Sequence, residues 1–365
     1  MVSRSQAGSD VIVRLAKPAV GEEELAEIRD VLESGQLTMG PKVAEFEQLL
    51  AGLAGTRHAV AVSSGTAALH VAVLALGIGP GDEVLVPAYT FPATANVVTL
   101  AGATPVLVDV DPVTMNLDPG DAARRVTPRT KAVLAVHLFG RPARLEELPA
   151  GLPIIEDAAG ALGARRGERP CGSLGSLACF SFHPRKIVTT GEGGAIATDD
   201  DALAEASRSL RHHGWSPSAE YADLPQPAFN YRLSDVLCAL GIPQLRRFAE
   251  LYAAYDRVAR GYTERLAGLD VVTPSTDPGD RHGWQAYVIQ VEDRDRVLAG
   301  LREQGIQCQI GTYALHRLGA YRGQGSFPGA DAAFERALAL PLHAALTGAE
   351  LDRVAAALDK LVSSH

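Results

Sequence analysis

Lys186 stands four residues beyond the apolar, strand-like run LACFSF (177–182), and a Thr- and Gly-rich stretch, Thr189 to Gly194, follows it. A lysine at such an edge, partly removed from water, loses its proton more readily and can attack a carbonyl to form a Schiff base. A second candidate is Asp157. It follows the apolar run PIIE (153–156) and opens the segment Asp157-Ala158-Ala159. Ligands of open α/β sheets bind at the carboxyl ends of strands. A carboxylate there can keep a pyridinium nitrogen protonated, so that the ring draws electrons from an attached carbon.

Two further segments fit the same chemistry. Ser63-Ser64-Gly65-Thr66-Ala67-Ala68 follows the run HAVAV (58–62) and opens a helix. Small residues let the backbone approach a phosphate, and a helix N-terminus offers free N–H groups at the positive end of its dipole. Gly65 and Thr66 are the candidate contacts, and Ser181, near the end of its own run, is placed to add a hydroxyl. In AYTFPATAN (88–96), Phe91 supplies an aromatic face able to stack on a flat heteroaromatic ring. Each segment has a plain alternative: a helix cap, a surface acid, a solvated lysine, a core aromatic. Together they supply a covalent amine, a ring-nitrogen acid, a phosphate cradle and a stacking face, the set that pyridoxal phosphate (PLP) needs.

The elements that must position these residues are legible as short apolar runs. They occupy 58–62, 83–87, 105–110, 131–136, 153–156, 177–182 and 194–198. Most are β-branched and nearly continuous in apolar character, as strands buried on both faces are. Helical segments lie between several of them, for instance 66–77 and 93–101, and amphipathic helices precede them at 22–34 and 43–54. Alternation of this kind predicts an α/β fold with a mostly parallel sheet of seven strands. Beyond about residue 235 one long helix is expected over 235–267, then strands at 286–291 and 306–310 and helices at 294–304 and 348–362. The expected division is therefore a large domain, 1–235, and a linking helix with a small α+β domain, 236–365. Residues 1–10 are polar and expected to be loose.

Composition narrows the function classes. With 365 residues the chain is long for one core. A net charge of −9 disfavours a nucleic-acid binder. An anionic substrate then needs local cations, and arginine dominates, with five lysines among 34 basic residues. Cys171, Cys179, Cys238 and Cys308 form no CxxC pair and read as reduced thiols of a cytoplasmic protein. No run of ~18 apolar residues suggests a membrane span, and no apolar leader is visible.

The segments SSGTAAL, AYTFPATAN, EDAA, SFHPRKIVTTGEGG and FNYRLSD (229–235), in this order and spacing, resemble the DegT/DnrJ/EryC1/StrS family of sugar aminotransferases. The resemblance extends to SGQLTMGPKVAEFE (34–47), VHLFGRPA (136–143) and LRHHGW (210–215). It implies a PLP-dependent transferase of fold type I, like aspartate aminotransferase, working as a homodimer with shared active sites. Lys186 would then carry the cofactor and move protons, Asp157 would hold the ring nitrogen, and Phe91 would stack on the ring. Gly65, Thr66 and Ser181 would hold the phosphate, joined by Asn230 from the neighbouring subunit. Arg232, Gly160, Tyr313 and His316 would face the substrate. The implied reaction transfers an amino group, with glutamate as donor, to a nucleotide-linked keto-deoxysugar. Keto-cyclitol amination and sugar dehydration are the neighbouring possibilities, and a non-catalytic binding protein on the same fold is a third class. Relatives that dehydrate replace the lysine by histidine, whereas Lys186 is intact here. Two departures touch the substrate side: Gly160 stands where many members have His or Gln, and Thr312 where they often have His.

Overall fold

The computed structural model describes residues 12–215, 224 and 226–363, so the N-terminal segment 1–10 expected to be loose lies outside the described residues. Seven strands form the central sheet: β1 (His58–Val62), β2 (Glu83–Pro87), β3 (Thr104–Val108), β4 (Thr130–Val136), β5 (Ile154–Asp157), β6 (Leu177–Ser181) and β7 (Gly194–Thr198). Their order across the sheet is β1-β7-β6-β5-β4-β2-β3. β7 pairs antiparallel with both β1 and β6, and the remaining pairs are parallel. Six strands thus end at the same edge, which gathers the residues that follow β1, β2, β5 and β6.

Continuous apolar character in the strands is explained by burial on both faces. In β1, Val60 and Val62 pack on one face with Val71 of the helix Gly65–Ala75. Ala59 and Ala61 pack on the other with Phe46 and Leu50 of the helix Pro41–Ala54. In β4, Ala132 and Leu134 join the first of these layers, while Val133 and Ala135 close a smaller cluster with Leu85 and Leu145.

The expected single helix over 235–267 is two helices, Asp235–Arg246 and Phe248–Arg265, broken at Arg247 (φ −100°, ψ 24°). Pro243 lies one turn before the break. It lacks an N–H and its ring crowds the carbonyl one turn back, so the ladder is weakened there. Past these helices lies a three-stranded antiparallel sheet of β8 (Tyr287–Gln290), β9 (Gln309–Ile310) and β10 (Ala337–Leu340), in the order β8-β10-β9. Its middle strand was not expected from the sequence. ALAL is short and follows directly on the helix Pro328–Arg336, with no turn residue to mark the change.

A second ladder links the two parts of the chain. Tyr313 and Ala314 pair antiparallel with Thr90 and Tyr89, and the buried Tyr89 hydroxyl accepts a hydrogen bond from the Thr312 N–H at 3.1 Å. The four cysteines are buried and free. Among the described residues no helix is long and apolar enough to cross a membrane.

Candidate active site

The helix Gly65–Ala75 starts at the end of β1 because Ser64 caps it: its backbone is extended and its Oγ accepts the Ala67 N–H at 3.1 Å. The Gly65 and Thr66 N–H groups then have no partner among the described residues, as is usual in a first turn. Gly65 cannot be larger. A Cβ there would lie 2.8 Å from the Ser181 Cβ and 3.2 Å from its Oγ. The missing methyl group therefore seats the helix start directly on the end of β6. A Cβ at Gly194 would lie 2.3 Å from the Ser64 carbonyl oxygen, so the reversed β7 also needs glycine at this crossing.

Lys186 lies in the loop between β6 and β7. Phe182 N–H to the Gly193 carbonyl (2.9 Å) and Thr190 N–H to the Phe182 carbonyl (3.0 Å) close the loop at its base. Buried Gln244 clamps it from the helix Asp235–Arg246, accepting the Thr189 N–H at 3.0 Å and donating to the Thr189 carbonyl at 2.8 Å. Burial pushes the Lys186 ammonium down to about 8, with the Asp157 carboxylate opposing that shift and the Arg185 charge assisting it. A substantial fraction of the amine is therefore neutral at moderately alkaline pH.

Asp157 is buried at the end of β5. Its Oδ2 accepts the Thr94 hydroxyl at 2.9 Å, its Oδ1 accepts the Ala159 N–H at 3.2 Å, and Thr94 in turn meets the Thr90 hydroxyl at 3.1 Å. Burial raises its pKa, while these two donors and Lys186 pull it back toward the ionised form. The preceding Glu156 is fully buried and points the other way, as strand alternation requires. It accepts the Gly172, Leu174 and Gly175 N–H groups at 2.8, 2.7 and 2.7 Å, and His137 Nε2 at 2.8 Å. The Ala143 N–H donates to His137 Nδ1, which leaves the proton on Nε2. Of the two adjacent acids, Glu156 braces loops and Asp157 faces the site.

Gly65, Thr66, Phe91, Asp157, Gly160, Ser181, Lys186 and Tyr313 all line one cavity of about 680 Å³. Phe91 is 61% exposed and 6.4 Å from the Tyr313 ring, so it has a free face toward the opening. Three expected residues lie elsewhere in the chain. His316 is held by Asp331 (Nε2 to Oδ1, 3.0 Å) and packs on Phe327. Arg232 contacts His212 Nδ1 at 2.5 Å, and its backbone bridges Val62. Asn230 is exposed and bridges His212, outside the cavity wall. FNYRLSD is laid along β1, with the Ser63 N–H donating to the Tyr231 carbonyl at 2.8 Å.

The cavity has walls that the sequence did not point to, including Arg185, Arg302, Gln285 and Gln309. Gln285 explains the glycine at 160. A Cβ on Gly160 would lie 3.0 Å from the Gln285 Cβ and 3.3 Å from its Oε1, so a side chain from the facing segment occupies the space that one at 160 would fill. The signal in the sequence was Gly160 itself, since a missing side chain at a lined site invites another to enter.

Free amides and a hydroxyl beside a glycine contact, a buried acid, a desolvated amine and an open aromatic face together fit PLP. Six co-directional strands with this set at one edge define the fold type I transferases. The chain belongs to the DegT/DnrJ/EryC1/StrS aminotransferase family, whose profile matches residues 18–359, and it is a PLP-dependent sugar aminotransferase. It is 40% identical to the GDP-perosamine synthase of Caulobacter vibrioides, over 96% of this chain and 98% of that protein. The aminotransferase TlmJ of Streptoalloteichus hindustanus superposes with a TM-score of 0.92 at 33% identity, covering 97% of this chain and 99% of TlmJ. Spr1654 of Streptococcus pneumoniae, solved in a PLP form, gives 0.91 at 29% identity over 96% and 99% of the two chains.

Proposed function

We propose that the protein transfers an amino group from glutamate to a nucleotide-linked keto-deoxysugar, with Lys186 as the residue that binds PLP covalently. The observation that carries this reading is the meeting of Lys186, Asp157 and the Gly65-Thr66-Ser181 cradle in one cavity. PLP, when bound, supplies a carbonyl for the amine and an electron-withdrawing ring. The chain's own groups do the rest. The Gly65 and Thr66 N–H groups and the Ser181 hydroxyl bind the phosphate. Asp157, oriented by Thr94 and the Ala159 N–H, holds a protonated ring nitrogen. Lys186 Nζ, once free, would carry the proton between the donor's α-carbon and the cofactor carbon that takes the nitrogen, and would run the same transfer in reverse for the acceptor. Phe91 covers one ring face and limits water.

A GDP-linked keto-deoxysugar is the first acceptor to test, since the 40% identical relative is named for GDP-perosamine. The large domain, 1–235, supplies the cofactor side, and 236–365 supplies the facing wall. Exposed Asn230 is assigned to the partner's phosphate site in a homodimer, which accounts for its position outside its own cavity. The test is amination of a GDP-4-keto-6-deoxysugar with glutamate and PLP, followed by mass spectrometry of the nucleotide sugar. Formation of the amino sugar with 2-oxoglutarate is expected. Amination of a keto-cyclitol alone would select the cyclitol reading, and loss of water without glutamate consumption would select the dehydratase.

A further inference from the structure

We propose that Arg185 binds the α-carboxylate of the amino donor. The inference rests on the aminotransferase reading above and assigns the donor contact that Arg232, held against His212, does not supply within its own chain.

The first argument is charge pairing. Arginines in this acidic chain commonly lie against carboxylates: Arg166 meets Glu146, Asp277 and Asp280, and Arg211 meets Glu47. Arg185 is different. It is half-buried in the wall of the catalytic cavity, and its Nη1 donates to the neutral Gln309 Oε1 at 3.0 Å. No carboxylate lies within ion-pair distance of it among the described residues. Burial of a guanidinium without an acid is unfavourable, and the free energy is recovered when an anion arrives. Two other charged groups of the wall already have hydrogen-bond partners. Arg302 donates from Nε and Nη2 to the Cys308 carbonyl at 3.1 and 2.9 Å. Asp157 accepts the Thr94 hydroxyl and the Ala159 N–H.

The second argument is position and shape. Arg185 is the residue next to Lys186, and its charge is felt at the Lys186 amine. An amino acid carries its α-carboxylate one bond from the carbon that loses the proton. The anionic part of a nucleotide-linked sugar is separated from its keto carbon by the sugar ring. The planar guanidinium matches a carboxylate in two parallel hydrogen bonds, and Gln309 fixes its plane.

The experiment compares wild-type holoenzyme with Arg185→Gln and Arg185→Lys. Each half-reaction is followed separately, and binding of maleate, a dicarboxylate without an amino group, is measured by calorimetry. In Arg185→Gln the KM for glutamate and the Kd of maleate are expected to rise roughly 10- to 100-fold. The maximal rate at saturating glutamate, the KM for the keto-sugar and the melting temperature should stay near wild type. Arg185→Lys restores the charge without the fork and should recover part of the loss. An unchanged maleate Kd would overturn the proposal. So would an equal loss in both half-reactions, which would mark a structural role through Gln309. A rise confined to the keto-sugar KM would assign the guanidinium to the diphosphate and also overturn it. If the wild-type enzyme consumes no glutamate, the functional reading fails, while the maleate arm still decides whether Arg185 binds carboxylate.

Discussion

The two sides of the cavity are built on opposite plans. The side formed by the ends of β1, β5 and β6 holds its polar groups through backbone and buried partners: Ser64 on Ala67, Asp157 on Thr94 and Ala159, the lysine loop on Gln244. The facing side rests on β9 and on Tyr313–Ala314, strands of two residues each, and presents Gln285, Gln309 and Tyr313. Strands of four and five residues, buried in the seven-stranded sheet, fix the first side before any ligand arrives, as chemistry on a ring requires. The second is set by side chains, which can change between relatives without disturbing the sheet.

Perturbing the first side should give the largest effects. Lys186→Ala is expected to abolish turnover while the protein keeps its fold. Wild-type turnover, together with an unaltered absorbance spectrum of the bound cofactor, would break the assignment. Asp157→Asn should retain PLP but lose well over tenfold in rate. The charged hydrogen bond it removes is worth roughly 1.5–3 kcal/mol, and each ~1.4 kcal/mol is a factor of ten. Activity within about threefold of wild type would remove Asp157 from that role.

The proposed sharing of sites between two subunits makes a third test. Inactive Lys186→Ala chains mixed with Asn230→Ala chains, at limiting PLP, should regain part of the activity, because one site of each mixed dimer carries neither lesion. No recovery in verified mixed dimers would separate Asn230 from the phosphate.

The pH response of the cofactor-free protein is expected to be smaller. Lys186 titrates near 8 in the folded chain and at ~10.4 when unfolded. Between these values the unfolded chain binds more protons, so the group's contribution to stability rises with pH over that interval. Below about pH 8 the half-buried ammonium opposes folding in full. Lys186→Met should therefore melt above wild type at pH 7, and the gap should close by pH 10; a gap independent of pH would contradict the desolvated lysine. The smallest effect belongs to the seam between the sides. Tyr89→Phe leaves the buried Thr312 N–H without its acceptor, which costs about 1–2 kcal/mol in thermal or denaturant unfolding.

The same contrast decides what the sequence disclosed. β1, β2 and β7 coincide with their apolar runs to the residue, because burial on both faces keeps their interiors apolar and leaves the polar His58, Glu83 and Thr198 at strand ends. Gly65, Asp157, Ser181 and Lys186 line one cavity, as their places at or just past strand ends lead one to expect. β10 was not legible, since four small apolar residues carry no period. Arg185 is not legible inside SFHPRK because an arginine beside a lysine reads as surface charge; its place in the cavity wall, on the neutral Gln309, is visible only in the structure. His316 was expected at the substrate, yet a histidine's spacing along the chain does not show that Asp331 holds it.

Thr90 belongs to both sides at once. Its backbone pairs with Tyr313, and its hydroxyl meets Thr94, which donates to Asp157. A displacement of the short ladder therefore reaches the Asp157 carboxylate through two hydroxyl contacts. A ligand pressed against the opposite wall can thereby be felt at Asp157 without touching it.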